Sequence, residues 1–369
     1  MAYTNIDDPS SNFQTALYTG NSNYNTITNT GNSNLAPDFI YIKCRSSSKN
    51  GAIYDSSRGT ETPLLTNSTT SEGGGGDNGV LNFGDGSTYV DGFRLGSANN
   101  VNDNGENFIA YQFKVNGGTI TTNNTDGTIA TNTQVNSNAG ISIVTWTGNG
   151  SNATMGHGLG LTPKFIITKA RGSTGTNWAT YHRDIDASAP YNYIAYLNTT
   201  DGGSIASNSW GTSLSNVNSS TFYMKYWINH STSMVAWVFA EKQGFSKFGK
   251  YKANGSANGP FNHTGFKPAW ILFKDQTGGS GGTENWQIWS STINTYNPLL
   301  KVQQTNTSSA ESVDLWATYG IELDVYSNGF KIVHDSGKSF LNMTNRNYIW
   351  AAFAENPFVT STGIPATAR

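Results

Sequence analysis

Several stretches carry side chains capable of chemistry. Asn102-Asp103-Asn104-Gly105-Glu106 crowds hard oxygen ligands around a glycine, as calcium loops do, but without the spacing of a full coordinating loop. His182-Arg183-Asp184 matches the core of a kinase catalytic loop, yet no metal-binding Asp-Phe-Gly and no glycine loop over ATP phosphates accompanies it, so a surface turn is the plainer reading. Gly278-Gly279-Ser280-Gly281-Gly282 fits the nucleophile-elbow pattern formally, inside a glycine run with no strand-to-helix context to hold a strained serine. His157, His182, His230, His263 and His334 are scattered and never paired at zinc-ligand spacing. Asp85, Asp91, Glu241 and Glu355 are candidates for a glycosidase carboxylate pair, although nothing in the sequence pairs them. The expectation is a protein that is not an enzyme and uses no cofactor and no metal.

The one surplus suited to binding is aromatic. Trp178, Tyr181, Trp210, Trp227, Trp286 and Trp289 lie outside the repeated strands described next, and exposed rings of this kind stack on sugars or on a protein partner. They are the candidate glycan or partner contacts. The competing reading, core or interdomain packing, is the stronger for rings of this size.

Three lines of nearly the same sequence must position these groups: APDFIYIK at 36–43, TPKFIITK at 162–169 and KPAWILFK at 267–274. In each, a lysine follows the proline by six residues, as Pro37 to Lys43, Pro163 to Lys169 and Pro268 to Lys274, with alternating side chains between. Alternation predicts a strand, and proline suits its first residue, where no ladder hydrogen bond is lost. Both faces are largely apolar, so the strand belongs in the middle of a sheet, with the lysine placed where the strand reaches solvent. An aromatic and a Gly/Asn turn precede each line: Tyr18-Thr19-Gly20-Asn21, Trp146-Thr147-Gly148-Asn149 and Tyr251-Lys252-Ala253-Asn254. A second strand follows each: NFIAYQFK at 107–114, MVAWVFAE at 234–241 and YIWAAFAE at 348–355. Asp91-Gly92 and Asn328-Gly329 mark turns before the first and third of these, with no clean counterpart in the middle copy.

The predicted fold is all-β: three tandem related β-sandwich (jelly-roll-like) units with very little helix, one short helix at most near 308–317. The boundaries are an N-terminal docking segment 1–17, unit one 18–115, a polar linker or edge strand 116–143, unit two 144–242, unit three 243–356 and a C-terminal tail 357–369. The short aromatic joint KQGFSKFG implies that units two and three pack firmly together.

Bulk composition agrees with a folded, turn-rich β protein. Charged residues make up 12% of the chain and glycine 41 of 369 residues, while 18 Tyr, 18 Phe and 10 Trp supply apolar area that disordered chains lack. A net charge of -2 offers no basic patch for phosphate, so nucleic acid is not an expected partner. Cys44 is the only cysteine, which excludes an intrachain disulfide and points to folding in a cytosol. The first residues carry no basic and apolar leader and no apolar run reaches 18 residues, so neither a signal peptide nor membrane insertion is expected.

AYTNIDDPSSNFQTALYTGNSN, the three P-x-[FW]-I-x-x-K lines, GHGLGLTPKFIITK, FAEKQGFSKFGKYKANGSANGPFNHTGFKPAWILFK and the closing FAENPF resemble repeat-containing virion structural and tail-fibre proteins of tailed phages, of the marine phage and cyanophage type. The resemblance spans nearly the whole chain. It implies a virion protein assembled in the host cytoplasm, a tail-fibre or host-adhesion component, and a homo-oligomer such as a trimer. Its partners would be other virion proteins, reached through the N-terminal segment, and a host surface glycan or protein. A capsid decoration (cement) or vertex-fibre protein is the alternative, and a polysaccharide-degrading tailspike enzyme the less favoured one.

Overall fold

A computed structural model describes residues 3–73, 76–84, 89–277, 284–312, 321–334 and 340–367. Three times in succession the chain builds a large antiparallel sheet and covers it with a small one. The first large sheet runs, edge to edge, Phe13–Thr19, Asn107–Phe113, Phe39–Cys44, Ala52–Asp55, Gly59–Leu65. The third repeats that order with Ser246–Lys252, Asn347–Pro357, Phe266–Asp275, Gln287–Ser290, Gln303–Gln304. The second has the same order in Ile141–Thr147, Ser233–Phe239, Phe165–Ala170, Ala179–His182 and Tyr193–Tyr196. It is extended by Ser204–Ile205 at one edge, and by Thr131–Asn136 and Thr121–Asn124 at the other. Those last two strands come from the polar stretch 116–143, which therefore widens a sheet.

The covering sheets are Asn25–Ile27, Phe93–Leu95 and Val80–Asn82 in the first sandwich, and Asn258–His263, Gly329–His334 and Ile321–Tyr326 in the third. The second has only Ala153–Gly156 and Thr221–Met224, which is why it lacks a counterpart to the Gly-Phe turn. Asn328 and Gly329 do turn a hairpin, with Tyr326 opposite Gly329, whereas Asp91-Gly92 ends a longer loop. The single α-helical turn among the described residues is Asn99–Asn102. The short helix expected near 308–317 falls partly outside the described residues, and Ser312 bridges to Val302 instead.

Each proline-led strand is the middle of its sheet, pairing in the first sandwich with Asn107–Phe113 on one side and Ala52–Asp55 on the other. All residues of the strands Phe39–Cys44, Phe165–Ala170 and Phe266–Asp275 are buried. Alternation explains how. Ile40 and Ile42 face Phe93, Leu95 and Val80 of their own covering sheet, whereas Phe39 and Tyr41 face a separate cluster shared by all three sandwiches. In that central cluster Phe113, Phe239 and Phe353, one from each closing strand, form a closed triangle with ring centroids 6.0, 5.8 and 4.8 Å apart. Phe39, Phe165 and Trp270 sit opposite them across the strand pairs. An apolar cavity of about 50 Å³ remains among these rings.

The sandwiches are therefore wound around one axis rather than strung as separate beads. Each fully covered large sheet has two dry faces, and burying aromatic surface at about 25 cal/mol per Å² stabilises both. The placement expected for the three lysines changes with this. Lys43, Lys169 and Lys274 do not reach solvent; they are at most 1% exposed. The strand end predicted to be open is capped by the neighbouring sandwich.

The N-terminal segment is packed into the fold. Thr4 and Ile6 are buried, Ile6 within the central cluster, and Asp8 caps the 3₁₀ turn Pro9–Ser11 through the Ser10 amide. Tyr3 donates to the Gly265 carbonyl (2.7 Å), Thr4 to that of Gln243 (2.8 Å), and Asp7 accepts the Ser361 amide (2.6 Å). Residues 3–12 and 357–361 thus cover the end of the axis where the prolines lie. The lysines mark the opposite end.

Candidate functional site

The lysine end is built by three equivalent joints. Lys43 Nζ donates to the Lys49 carbonyl (2.8 Å) in its own loop and to the Thr307 carbonyl (2.7 Å) in the third sandwich. Lys169 Nζ donates to Thr176 O and Oγ1 (both 2.7 Å) and to Thr69 O (3.2 Å) in the first. Lys274 Nζ donates to Glu284 O (2.6 Å) and to Thr200 O (2.8 Å) in the second. The cycle closes: first to third, third to second, second to first. An ammonium is suited to this because it offers three donors from a flexible stem. Burial lowers each of the three pKa values to about 8.

A second ring of joints involves two of the candidate contact rings, in the interdomain packing that is the stronger reading for them. Trp178 Nε1 donates to the Leu65 and Ser68 carbonyls of the first sandwich (3.1 and 3.0 Å), and Trp286 Nε1 to the Tyr196 carbonyl of the second (2.9 Å). The equivalent position in the first sandwich is Gly51, whose amide-mate Thr66 donates its hydroxyl to Thr305 O (2.6 Å) in the third. There the Tyr41 ring takes the space: its hydroxyl would lie 2.6 Å from a Cβ on Gly51. Trp210 and Tyr181 meet edge to face in the second sandwich core, and Trp289 is sealed in the third. Of the six candidate contacts, Trp178, Tyr181, Trp210, Trp286 and Trp289 are buried at 2% exposure or less, so they cannot stack on an external sugar. Trp227 alone is half-buried, against the second core.

Charge is concentrated where the first and second sandwiches meet. Arg58, with no exposed side-chain surface, binds Asp55 (2.6 Å) and Glu72 (2.6 Å), and Arg171 binds Glu72 (2.8 Å). Trp237 donates to Asp55 (3.1 Å) while the Arg58 guanidinium lies 5.6 Å from its ring centre. Arg45 and Glu311 make the corresponding pair between first and third (2.7 Å).

The remaining motifs are structural. His182 donates from Nε2 to the Trp350 carbonyl (3.0 Å) and accepts the Asp184 amide on Nδ1 (3.1 Å), so it is a neutral joint between the second and third sandwiches, and burial lowers its pKa to about 4. His157 likewise donates to Asn218 O (3.0 Å) and accepts the Leu159 amide. Asp91 accepts the Leu35 amide, Glu355 pairs with Lys267 (3.0 Å), and Glu241 is exposed at the proline end. Asp85, Gly278–Gly282 and the His334 side chain lie outside the described residues. Among the described residues no group of three or more His, Cys, Asp or Glu could hold a metal.

Within the supposed calcium loop, Asn102 is buried and points inward. Its Nδ2 donates to Asn21 Oδ1 (3.1 Å) and Asn23 O (2.6 Å), fastening the turn that follows the opening strand. Asn229 does the same to Asn149 Oδ1 (3.0 Å) and Ser151 O (2.8 Å), and Asn342 to Asn254 Oδ1 (2.8 Å) and Ser256 O (2.9 Å). Asp103 instead pairs with Lys49 (2.7 Å). These clamps escaped sequence reasoning, although the three asparagines precede their closing strands at nearly constant distance.

Residues 8–357 match the family model described as Domain of unknown function (DUF7483), and the chain belongs to that family. No curated protein and no solved structure matches.

Proposed function

We propose that this member of a family of unknown function is a non-enzymatic structural component of a phage particle, most simply a tail-fibre or host-adhesion component. One observation carries the reading: the side chains most able to do chemistry, Lys43, Lys169, Lys274, His182, Trp178 and Trp286, are taken up in joints between sandwiches. Such use favours stiffness over turnover. Because aromatic surface is buried around an internal axis, a homotrimer is not needed to hide it. The proline end, where residues 3–12 and 357–361 pack, suits attachment to other virion proteins, and the lysine end, rimmed by Ser/Thr/Asn loops, suits outward display.

Capsid decoration is the second reading, favoured by the same three-fold arrangement, which would match a local three-fold position on a shell. Immunogold labelling of intact particles separates the two. Label on the tail or its fibres supports the first reading, label over the capsid supports the second, and absence of the chain from purified particles overturns both.

A further inference from the structure

We infer that the second sandwich carries a binding groove for a neutral saccharide at its lysine end. The inference deepens the adhesion reading by naming a site and a ligand class. Thr147 and Ser233 lie directly opposite each other on neighbouring strands, and the Arg171 amide donates to the Ser233 carbonyl (2.7 Å), so the three residues form a row across three strands on one face. Asn132 is opposite Thr145 one step further down. Together with Ile129 they line a groove of about 430 Å³, within the ~300–1,000 Å³ typical of small-ligand clefts.

The other two sandwiches serve as internal controls. In the first, the equivalent row is closed: Thr19 donates to Asn107 Oδ1 (3.1 Å) and the Asn107 amide donates to Ser46 Oγ (2.8 Å). In the third it is Lys252 and Asn347, and the Asn347 amide donates to Thr277 Oγ1 (2.6 Å). In the second, the hydroxyls of Thr145, Thr147 and Ser233 and Nη1 of Arg171 have no partner among the described residues. Only this sheet is widened by Thr131–Asn136 and Thr121–Asn124, next to which Ile129 contributes an apolar wall. Function grafted onto one copy of a repeated scaffold is the pattern expected of a site.

Three hydroxyls, an amide and one guanidinium nitrogen beside an apolar wall fit a pyranose, which offers vicinal hydroxyls on its edge and C–H groups on its face. Arg171 belongs to a network of two guanidinium and two carboxylate groups, Arg58, Arg171, Asp55 and Glu72, so the site has no surplus positive charge and the ligand is uncharged.

The test is calorimetry and saturation-transfer NMR on the full chain with neutral gluco-, galacto- and N-acetylglucosamine oligomers, and with oligogalacturonate as the anionic comparison. Saturable binding of a neutral oligomer, weakened about ten-fold or more in Thr147→Val/Ser233→Ala and unchanged in Thr19→Val, is expected. Both substituted residues are exposed, so the fold is retained, which circular dichroism checks. Equal binding by the double variant, preference for oligogalacturonate, or no binding of any oligomer overturns the inference. Particle location is measured separately, so a chain found in the tail that binds no saccharide leaves the scaffold reading standing.

Discussion

Phe113 and Phe353, from the closing strands of the first and third sandwiches, meet edge to face with ring centroids 4.8 Å apart. With Phe239 they complete a triangle that no single sandwich could form.

Substituting any one of these rings by alanine is expected to lower stability by about 3–5 kcal/mol, the range for a large buried aromatic. Because the triangle is shared, Phe239→Ala should shift one common unfolding transition followed by near-ultraviolet circular dichroism in urea. Separate loss of one sandwich while the others persist would refute a shared core.

The lysine joints are tested by comparing two replacements at Lys169. Lys169→Ala strands the Thr176 and Thr69 carbonyls and leaves a void, costing about 3 kcal/mol or more. Lys169→Met keeps the stem and removes a desolvated charge, so it is expected to cost less. Equal midpoints for the wild type and Lys169→Ala in urea would show that the joint contributes nothing.

These lysines also set an alkaline dependence. Their folded pKa values of about 8 lie below the ordinary 10.5, so between those pH values the unfolded chain binds more protons and stability rises with pH. Burial raises the tyrosines in the opposite sense, with Tyr181 pushed up to about 12 and Tyr18, Tyr54, Tyr111 and Tyr251 well above 10. Above about pH 10 the unfolded chain loses protons that the folded one keeps, and stability falls. Urea midpoints measured from pH 7 to 11 should pass through a maximum near pH 9–10.

On the acid side His182 contributes a stability that depends on pH. Its folded pKa of about 4 is below the ordinary 6.5, so its neutral joint to Trp350 is fully stabilising above pH 6.5 and that stability is lost as pH falls towards 4. Burial lowers His157 in the same direction. His182→Gln, whose amide can still donate to the carbonyl, is expected to flatten the midpoint between pH 6.5 and 4. An unchanged slope would remove His182 from the account.

The asparagine clamps give the last prediction. Asn229→Ala removes donors to Asn149 and Ser151 and leaves Trp146 Nε1 without its acceptor, at a cost of about 1–3 kcal/mol. Hydrogen exchange should quicken first at Gly148 and Gly150, whose amides bond to the Thr232 and Asn229 carbonyls. Uniform exchange across the sandwich would argue against a local clamp.

The sequence by itself determined that the chain is all-β, where the central strand of each sheet lies, and that the stretch 116–143 could add a strand, because period-two alternation is a local property of the backbone; Pro37 and Pro163 precede their strands, whereas Pro268 sits inside Phe266–Asp275 at a break in register. It also told that Ile40 and Ile42 lie on the face opposite Phe39 and Tyr41. What covers those faces is not local. A lysine at a strand end reads as solvated until another sandwich brings carbonyls to it, and a tryptophan in a loop reads as packed without any sign of which neighbour's backbone accepts its N–H. Lys43, Trp178 and His182 were therefore decided by the winding of three sandwiches around one axis, a relation between residues far apart in the chain that burial of aromatic surface enforces and sequence spacing does not encode.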